Sequence, residues 1–369
     1  MKILMTADPI GGVWTYAMDL CAALAAQHCE IVLATLGSPL SHAQRAQAGA
    51  LRNVDLREST FRMEWMESPW QSLESAAHWL MELEAAVAPD LIHLNHLVHG
   101  DLPWRAPVIV VGHSCVLSWW AAVRNEPAPA SLAVYRARVR DSLRAADLVL
   151  APTRAMMAAL VQLYGPFKAC RVIPNGRSAV GLSVGAKEPL ILSAGRLWDD
   201  GKNARLLCEI ADRLPWPVHI AGSDTSPDGQ KQSLPRVNAL GHLTSERLAR
   251  WYRRAAIYAL PARYEPFGLT ALEAALCGCA LVLGNLASLR EVWGTNALYV
   301  CPDDPEELLS TLLSLIRDPA RRARYATLAL MHALHYTPEK TASRYLGAYA
   351  SVLEQKETRA CASYSSITL

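Results

Sequence analysis

Two carboxylates eight positions apart stand out in the segment Arg263-Tyr264-Glu265-Pro266-Phe267-Gly268-Leu269-Thr270-Ala271-Leu272-Glu273. Glu265 falls in a loop after a strand pattern, and Glu273 falls one turn into the helix that follows. Gly268 lets the chain turn tightly there and approach a ligand. The amides of Phe267, Gly268 and Leu269 then point out of a helix N-terminus, where phosphate binds well. A carboxylate before such a turn can accept sugar hydroxyls, and Glu273 can accept the two hydroxyls of a ribose. Glu273 also sits among Leu269, Ala271, Leu272, Ala274 and Leu276, where an unpaired acid is costly. A second segment, Ser193-Ala194-Gly195-Arg196-Leu197-Trp198-Asp199-Asp200-Gly201-Lys202-Asn203, lies between a strand and a helix pattern. Gly195 and Gly201 permit close backbone approach, and Arg196 and Lys202 supply two cations for a diphosphate. A diphosphate leaving group gains negative charge as its bond breaks, so cations near it lower the barrier.

The elements that must hold these residues alternate short β-branched or leucine-rich runs with longer alanine-rich helical ones. Strands are expected at Lys2–Thr6, Glu30–Leu36, Leu91–Leu94, Val108–Val111, Leu148–Ala151 and Arg171–Ile173. Helices are expected at Gly12–Gln27, Leu73–Val87 and Tyr135–Ala145. A second series begins at Leu190–Ala194 and continues through Val218–Ala221, Ile257–Leu260, Ala280–Leu283 and Leu298–Val300, again with helical stretches between. This order predicts parallel sheets covered by helices. The restart predicts two α/β domains, 1–178 and 179–337, joined through the Gly- and Ser-rich stretch Asn175–Glu188. A further helix is expected over 338–356, and 357–369 is expected to be a flexible tail. Ligands of such sheets bind outside the carboxyl ends of the strands, and the unusual polar residues fall there.

Bulk properties narrow the classes. The chain has 369 residues, 51% of them hydrophobic, with a formal net charge of +2. That is enough apolar material for two cores and gives no pull toward nucleic acid. No apolar run approaches the ~20 residues needed to cross a bilayer, and Met1–Met5 enters a strand pattern with no signal-peptide stretch. The nine scattered cysteines read as buried thiols in a reducing cytoplasm, with neither disulfides nor a metal site. The glycine fingerprint of a dinucleotide-binding dehydrogenase is missing.

Taken together, the Glu265/Glu273 pair and the Arg196/Lys202 pair resemble the donor-binding half of retaining glycosyltransferases of family 4, the glycosyl transferases group 1 set. The resemblance implies a GT-B fold, in which two Rossmann-like domains with parallel sheets face each other across a cleft. It implies that Glu265 binds the donor sugar, that Glu273 binds the ribose, and that Arg196 and Lys202 neutralise the diphosphate. The loop Ala7-Asp8-Pro9-Ile10-Gly11-Gly12-Val13-Trp14 is similar to the family's Gly-Gly loop, so Gly11 and Gly12 are expected near the donor. His113, after a strand, matches a histidine that touches the donor sugar in relatives. Leu243 follows a strand end that resembles the nucleobase site. The helix at Arg344–Gln355 resembles the family's last helix, which braces the first domain. Arg290 stands where many relatives have proline.

The implied activity is retaining, metal-independent hexosyl transfer from a nucleotide-diphosphate sugar, with a UDP-sugar first and a GDP-sugar second. The leaving phosphate would act as base and no cofactor would be needed. The acceptor would be a saccharide or a lipid-linked sugar, entering from the first domain. Trp14, Trp119 and Trp120 are candidate acceptor contacts, since sugar rings stack on aromatic faces. The place of action would be the cytoplasm, with room for peripheral contact at the inner membrane face. The alternatives are a sugar-nucleotide epimerase of the same fold and a non-catalytic nucleotide-sugar-binding protein.

Overall fold

The computed structural model describes residues 1–226, 229 and 231–365 and divides them into two compact units. The first comprises Met1–Ser118, Pro127–Gly176 and the segment from Pro338 on; the second comprises Trp119–Glu126 and Arg177–Thr337.

The first unit begins with β1 (Lys2–Ala7), α1 (Gly12–Ala25), β2 (Glu30–Thr35), α2 (His42–Gly49), β3 (Val54–Glu58), α3 (Trp70–Val87), β4 (Leu91–Leu94) and β5 (Val108–Val111). After α4 (Val116–Arg124), which begins in this unit, come α5 (Ala133–Ala145), β6 (Leu148–Ala151), α6 (Arg154–Tyr164) and β7 (Cys170–Val172). The strands pair in parallel in the order β3-β2-β1-β4-β5-β6-β7. The inner strands β4, β5 and β6 are buried along their whole length; β5 and β6 therefore read as unbroken apolar runs, and β4 does so apart from His93.

The second unit carries β8 (Glu188–Ala194), α7 (Ala204–Ile210), β9 (Val218–Ala221), β10 (Asn238–Gly241), α8 (Ser245–Arg254), β11 (Ala255–Leu260), α9 (Leu269–Leu276) and β12 (Ala280–Gly284). It continues with α10 (Ala287–Trp293), β13 (Leu298–Val300), α11 (Pro305–Arg317) and α12 (Pro319–Ala333). Its sheet is also parallel, ordered β10-β9-β8-β11-β12-β13. Both orders reverse direction beside their first strand, at β1/β4 and at β8/β11. Such a switch point leaves a crevice at the carboxyl ends of the strands.

The chain returns to the first unit as α13 (Pro338–Ser365), which packs on α1. Tyr345 stacks on His93 at 5.3 Å between ring centroids, and the Tyr349 hydroxyl is hydrogen-bonded to His93 Nδ1 at 2.7 Å. This helix runs past the expected end at 356. Residues 357–365 of the expected tail are helical, in keeping with good helix formers such as Glu357, Arg359, Ala360 and Ala362. Residues 366–369 lie outside the described residues.

Two further expectations need correction. Trp119–Glu126 groups with the second unit, not with the rest of 1–178. It is tied there by Trp119 Nε1, which donates to Asp199 at 2.8 Å, and by the Arg124–Asp200 ion pair at 3.2 Å. β3 went unanticipated and β10 was foreseen only as the strand end before Leu243; each lies at the edge of its sheet. Among the described side chains the cysteines are free thiols, six of them buried, with Cys170 and Cys301 exposed.

Candidate functional site

At the β8/β11 switch point the loops after the two strands are joined. Gly201 O accepts from the amides of Arg263 and Tyr264 at 2.9 and 3.1 Å. Asn203 holds a left-handed conformation (φ 55°), and its amide nitrogen donates to Pro261 O and Pro302 O. This pinning carries Lys202 to the mouth of α9. Its aliphatic stem runs beside Gly195, where a Cβ would stand 3.4 Å from Lys202 Cγ. Its ammonium pairs with Glu265 Oε2 at 2.6 Å, and both side chains are mostly buried, 17% and 11% exposed.

The other oxygen of Glu265 caps the helix. Gly268 N donates to Oε1 at 2.9 Å and Phe267 N approaches it at 3.4 Å. The amides expected to face a phosphate therefore face the carboxylate of Glu265, which acts as a local anion for the positive end of α9. Gly268 stands at φ 92°, a conformation glycine adopts at no steric cost. Phe267 is buried against Tyr336, with ring centroids 5.8 Å apart, and Leu269 packs on the same core.

Arg196 is also paired. Its guanidinium donates to Asp199 Oδ2 at 2.9 Å and lies 5.4 Å from the Trp198 ring. Asp199 is 6% exposed and also accepts from Trp119 Nε1 and Gly201 N. Burial pushes its carboxyl up, but Arg196 and Lys202 outweigh that and hold it below the usual range. Sequence reasoning gave Asp199 no role, although its i,i+3 spacing from Arg196 was visible. Glu273 is held by Arg177, Nε to Oε1 at 2.7 Å, with both side chains about one-eighth exposed (13% and 12%). Arg177 carried no signal in a stretch read as linker. Tyr258 links the two acids electrostatically: burial raises its pKa, and Glu265 and Glu273 both add to the rise. The four residues singled out for the donor thus share one region, each joined to an oppositely charged partner.

The remaining second-unit candidates divide. Leu243 follows β10 and packs against the unit's core. Trp119 and Trp120 do not form a free stacking platform. The indole nitrogen of Trp119 is committed to Asp199, and the Arg124 guanidinium lies over both rings at 5.4 and 5.9 Å. Arg290 bonds Asn285 and lies 4.3 Å from the Tyr299 ring.

In the first unit, Gly11 takes φ 79° just before α1, and Asp8 Oδ1 accepts from Ile10 N at 2.8 Å to hold the turn; Gly12 opens α1. Trp14 is only 5% exposed, its indole nitrogen bonded to Gln47, so its ring is packed rather than offered to an acceptor. His113 belongs to a buried polar group at the β1/β4 switch point. Asn95 Nδ2 donates to Thr6 O at 2.8 Å, which turns Asn95 Oδ1 toward two histidines, His113 Nε2 at 2.8 Å and His93 Nε2 at 3.2 Å. An amide oxygen only accepts, so both rings carry their proton on Nε2. Burial holds His93 and His113 down to about 3. The rings are therefore neutral near pH 7, and His113 Nδ1 is left as an acceptor.

A second line of bonds has one consistent direction. His99 Nε2 must donate to Leu73 O at 2.9 Å, so His99 Nδ1 accepts from His96 Nε2 at 2.8 Å. His96 Nδ1 then accepts from the Thr6 hydroxyl at 2.9 Å, and Thr6 Oγ1 accepts from Asn95 N at 2.9 Å. Burial lowers the pKa of His96 and His99, in keeping with neutral rings throughout.

Two parallel-sheet Rossmann-like units in this order define a GT-B protein. Solved structures share the fold. Sucrose-phosphate synthase from Thermosynechococcus elongatus matches with a TM-score of 0.80 at 20% identity, covering 96% of this chain and all of that one. Anabaena HepE, solved in complex with UDP and glucose, matches at 0.74 and 18% identity over 95% of this chain and all of that one. Residues 188–318 match the family described as glycosyl transferases group 1, and residues 10–178 match glycosyltransferase family 4. A D-inositol 3-phosphate glycosyltransferase of Xylanimonas cellulosilytica is 28% identical over 73% of this chain and 74% of its own length. A glycogen synthase of Mycobacterium tuberculosis is 31% identical over 54% of each. The chain belongs to the glycosyl transferases group 1 family and is a glycosyltransferase acting on nucleotide sugars.

Proposed function

We propose that the protein is a retaining, metal-independent hexosyltransferase whose second unit binds a nucleotide-diphosphate sugar, with a UDP-sugar as first choice and a GDP-sugar as second. The observation that carries this is the seat of the Glu265 carboxylate, held between the Lys202 ammonium and the first amides of α9. That seat is built for an anion. A diphosphate entering it takes over Lys202 and the amides, and Glu265, released from them, accepts hydroxyls of the transferred sugar. Arg196 is poised to make the same exchange from Asp199. Glu273, oriented by Arg177, accepts ribose hydroxyls, and the loop at Leu243 borders the base.

In the transfer itself the acceptor oxygen bonds to the anomeric carbon as the bond from that carbon to the diphosphate breaks. The acceptor proton passes to the departing phosphate oxygen, on the same face of the sugar, so the configuration is kept. Lys202, Arg196 and the α9 amides stabilise the charge that develops on the leaving group. In the first unit, Nδ1 of neutral His113 is left able to accept a hydroxyl. A complex of HepE with UDP and glucose and one of an Escherichia coli trehalose-6-phosphate protein with UDP-2-fluoro glucose, which share the fold, favour uridine as the base. Among the described residues no helix is long and apolar enough to cross a membrane, and we assign the activity to the cytoplasm.

Thermal melting with UDP, GDP and ADP tests the donor assignment, because a ligand of the native state raises the midpoint by mass action. UDP should raise it in the wild type and fail to do so in Lys202→Ala. An equal rise in Lys202→Ala would remove the second-unit site as the donor seat.

A further inference from the structure

The first unit contains a second built site that the donor chemistry does not use. The chain from Glu64 to Gln71, with Val116, Ser131, Leu132 and Tyr135, lines a half-open cavity of about 550 Å³, within the ~300–1,000 Å³ range of small-molecule sites. Glu64 is its polar anchor. The residue is 7% exposed; Leu97 N donates to its Oε1 at 2.9 Å, and Oε2 has no hydrogen-bond partner. A buried carboxylate oxygen without a partner is costly, and proteins retain such groups where a ligand completes them. Trp65 and Trp70, both half-buried, line the same space, with Gln71 and Ser131 as exposed polar groups. Among the lining residues the charged ones are Glu64 and Glu67, and none is Lys or Arg.

We infer that this cavity is the acceptor subsite and that it takes a neutral, polyhydroxylated sugar ring rather than a phosphorylated one. This rests on the transferase reading above. The aromatic faces suit a sugar ring, and the carboxyl group of Glu64 in the wall suits hydrogen bonds to hydroxyls. Phosphate recognition draws on Arg or Lys, which the lining lacks, and the Glu67 carboxylate would repel a dianion. The acceptor chemistry therefore departs from that of relatives named for inositol 3-phosphate.

Saturation-transfer NMR on the full chain, without donor, is the direct test. The probes are methyl glucoside, maltose and myo-inositol, set against glucose 6-phosphate and inositol 3-phosphate. At least one neutral probe should bind, and at least tenfold more tightly than either phosphate. Glu64→Gln, which keeps the Leu97 bond but replaces an acceptor oxygen by a donor, should weaken that binding about fivefold or more. Ser131→Trp, an exposed change that fills the cavity, should abolish it. Circular dichroism and the UDP-induced melting shift report whether each variant is folded. Binding by no neutral probe, tighter binding of a phosphate, or unchanged binding in folded Ser131→Trp would each overturn the inference. Saccharide binding that follows these variants, with no UDP shift in the wild type, would leave this subsite standing and reject the donor assignment.

Discussion

The two units repeat one topology and fill its switch point with opposite chemistry. At β1/β4 the first unit places Thr6, Asn95 and a set of histidines in neutral, directed hydrogen bonds. At β8/β11 the second unit places three ion pairs, Lys202–Glu265, Arg196–Asp199 and Arg177–Glu273. A neutral network is fixed, because each donor has one acceptor that suits it. An ion pair at a pocket mouth can exchange partners with a ligand of like charge. The same fold therefore provides one unit suited to hydroxyls and one suited to a diphosphate, and the difference lies in a few loop residues rather than in the sheet.

The sharpest way to break this contrast is to strand a charge in the second unit. Arg177→Leu leaves Glu273 among apolar neighbours without its cation. Breaking a buried pair from one side costs about 3–5 kcal/mol, so the chemical-denaturation midpoint should fall far more than for a surface change. A loss below ~1 kcal/mol would mean that Glu273 is hydrated, and that the second unit does not depend on its pairs. Next in size is Lys202→Ala, expected to lower kcat/KM by about 10²–10³, the usual effect of removing one group that stabilises a developing charge. Steady-state kinetics with UDP-glucose checks it. A loss confined to KM would reassign Lys202 to ground-state binding.

How much of this was legible in the sequence depended on burial and on charge. Inner strands such as β5 and β12, buried throughout, announced themselves as apolar runs. The edge strands β3 and β10 are largely exposed, so Val54–Glu58 and Asn238–Gly241 carry no such run; β3 was missed, and β10 was legible only through the resemblance of its end, before Leu243, to a nucleobase site. Glu265, Lys202, Arg196 and Glu273 were readable because charged residues beside glycines at strand ends are unusual. Their partners were not. Asp199 looked like loop polarity, and Arg177 lay in a segment without periodicity. Asn95, which orients His113, follows four residues of buried strand, and nothing in its type separates it from a turn residue. Glu64 reads as an ordinary loop acid until the fold surrounds it.

A smaller effect distinguishes the first unit by pH. Burial, aided by Asp8 and opposed by the Leu97 amide, raises the Glu64 carboxyl from an ordinary 4.5 to about 7. The folded state thus holds this proton more tightly than the unfolded chain. Below pH 4.5 both are protonated and there is no penalty. Stability is lost as pH rises through 4.5 to about 7 and is level above that. At about 1.4 kcal/mol for each factor of ten in proton affinity, the rise from 4.5 to about 7 gives roughly 3–4 kcal/mol. The histidines act with the opposite sign: His93 and His113, held to about 3, withdraw stability as pH falls through 6.5 toward about 3. The melting difference between Glu64→Gln and wild type should therefore be near zero at pH 4 and grow to its full size by pH 8, while the histidine slope persists in the variant. A pH-independent difference would mean that Glu64 is ionised in the folded protein.

The contrast extends to the helix ends, where the expected effect is smallest. In the first unit Thr153 caps α6 through a hydroxyl that accepts from Met156 N, and Ser41 caps α2 in the same way. In the second, Thr244 caps α8 through its hydroxyl as well, but among the described residues only there do carboxylates cap helices of the sheet layers, Asp304 on α11 and Asp318 on α12. Either kind of cap is worth about 1 kcal/mol, but a carboxylate also interacts with the helix dipole, and that part is screened by salt. Thr153→Ala should cost about the same at low salt and at ~1 M, where the Debye length is near 3 Å. Asp304→Ala should cost more at low salt than at high, by a few tenths of a kcal/mol, read from urea midpoints in the two buffers. Equal salt responses would mean that the second unit's charges are individually local, and that its preference for an anion comes from the α9 seat alone.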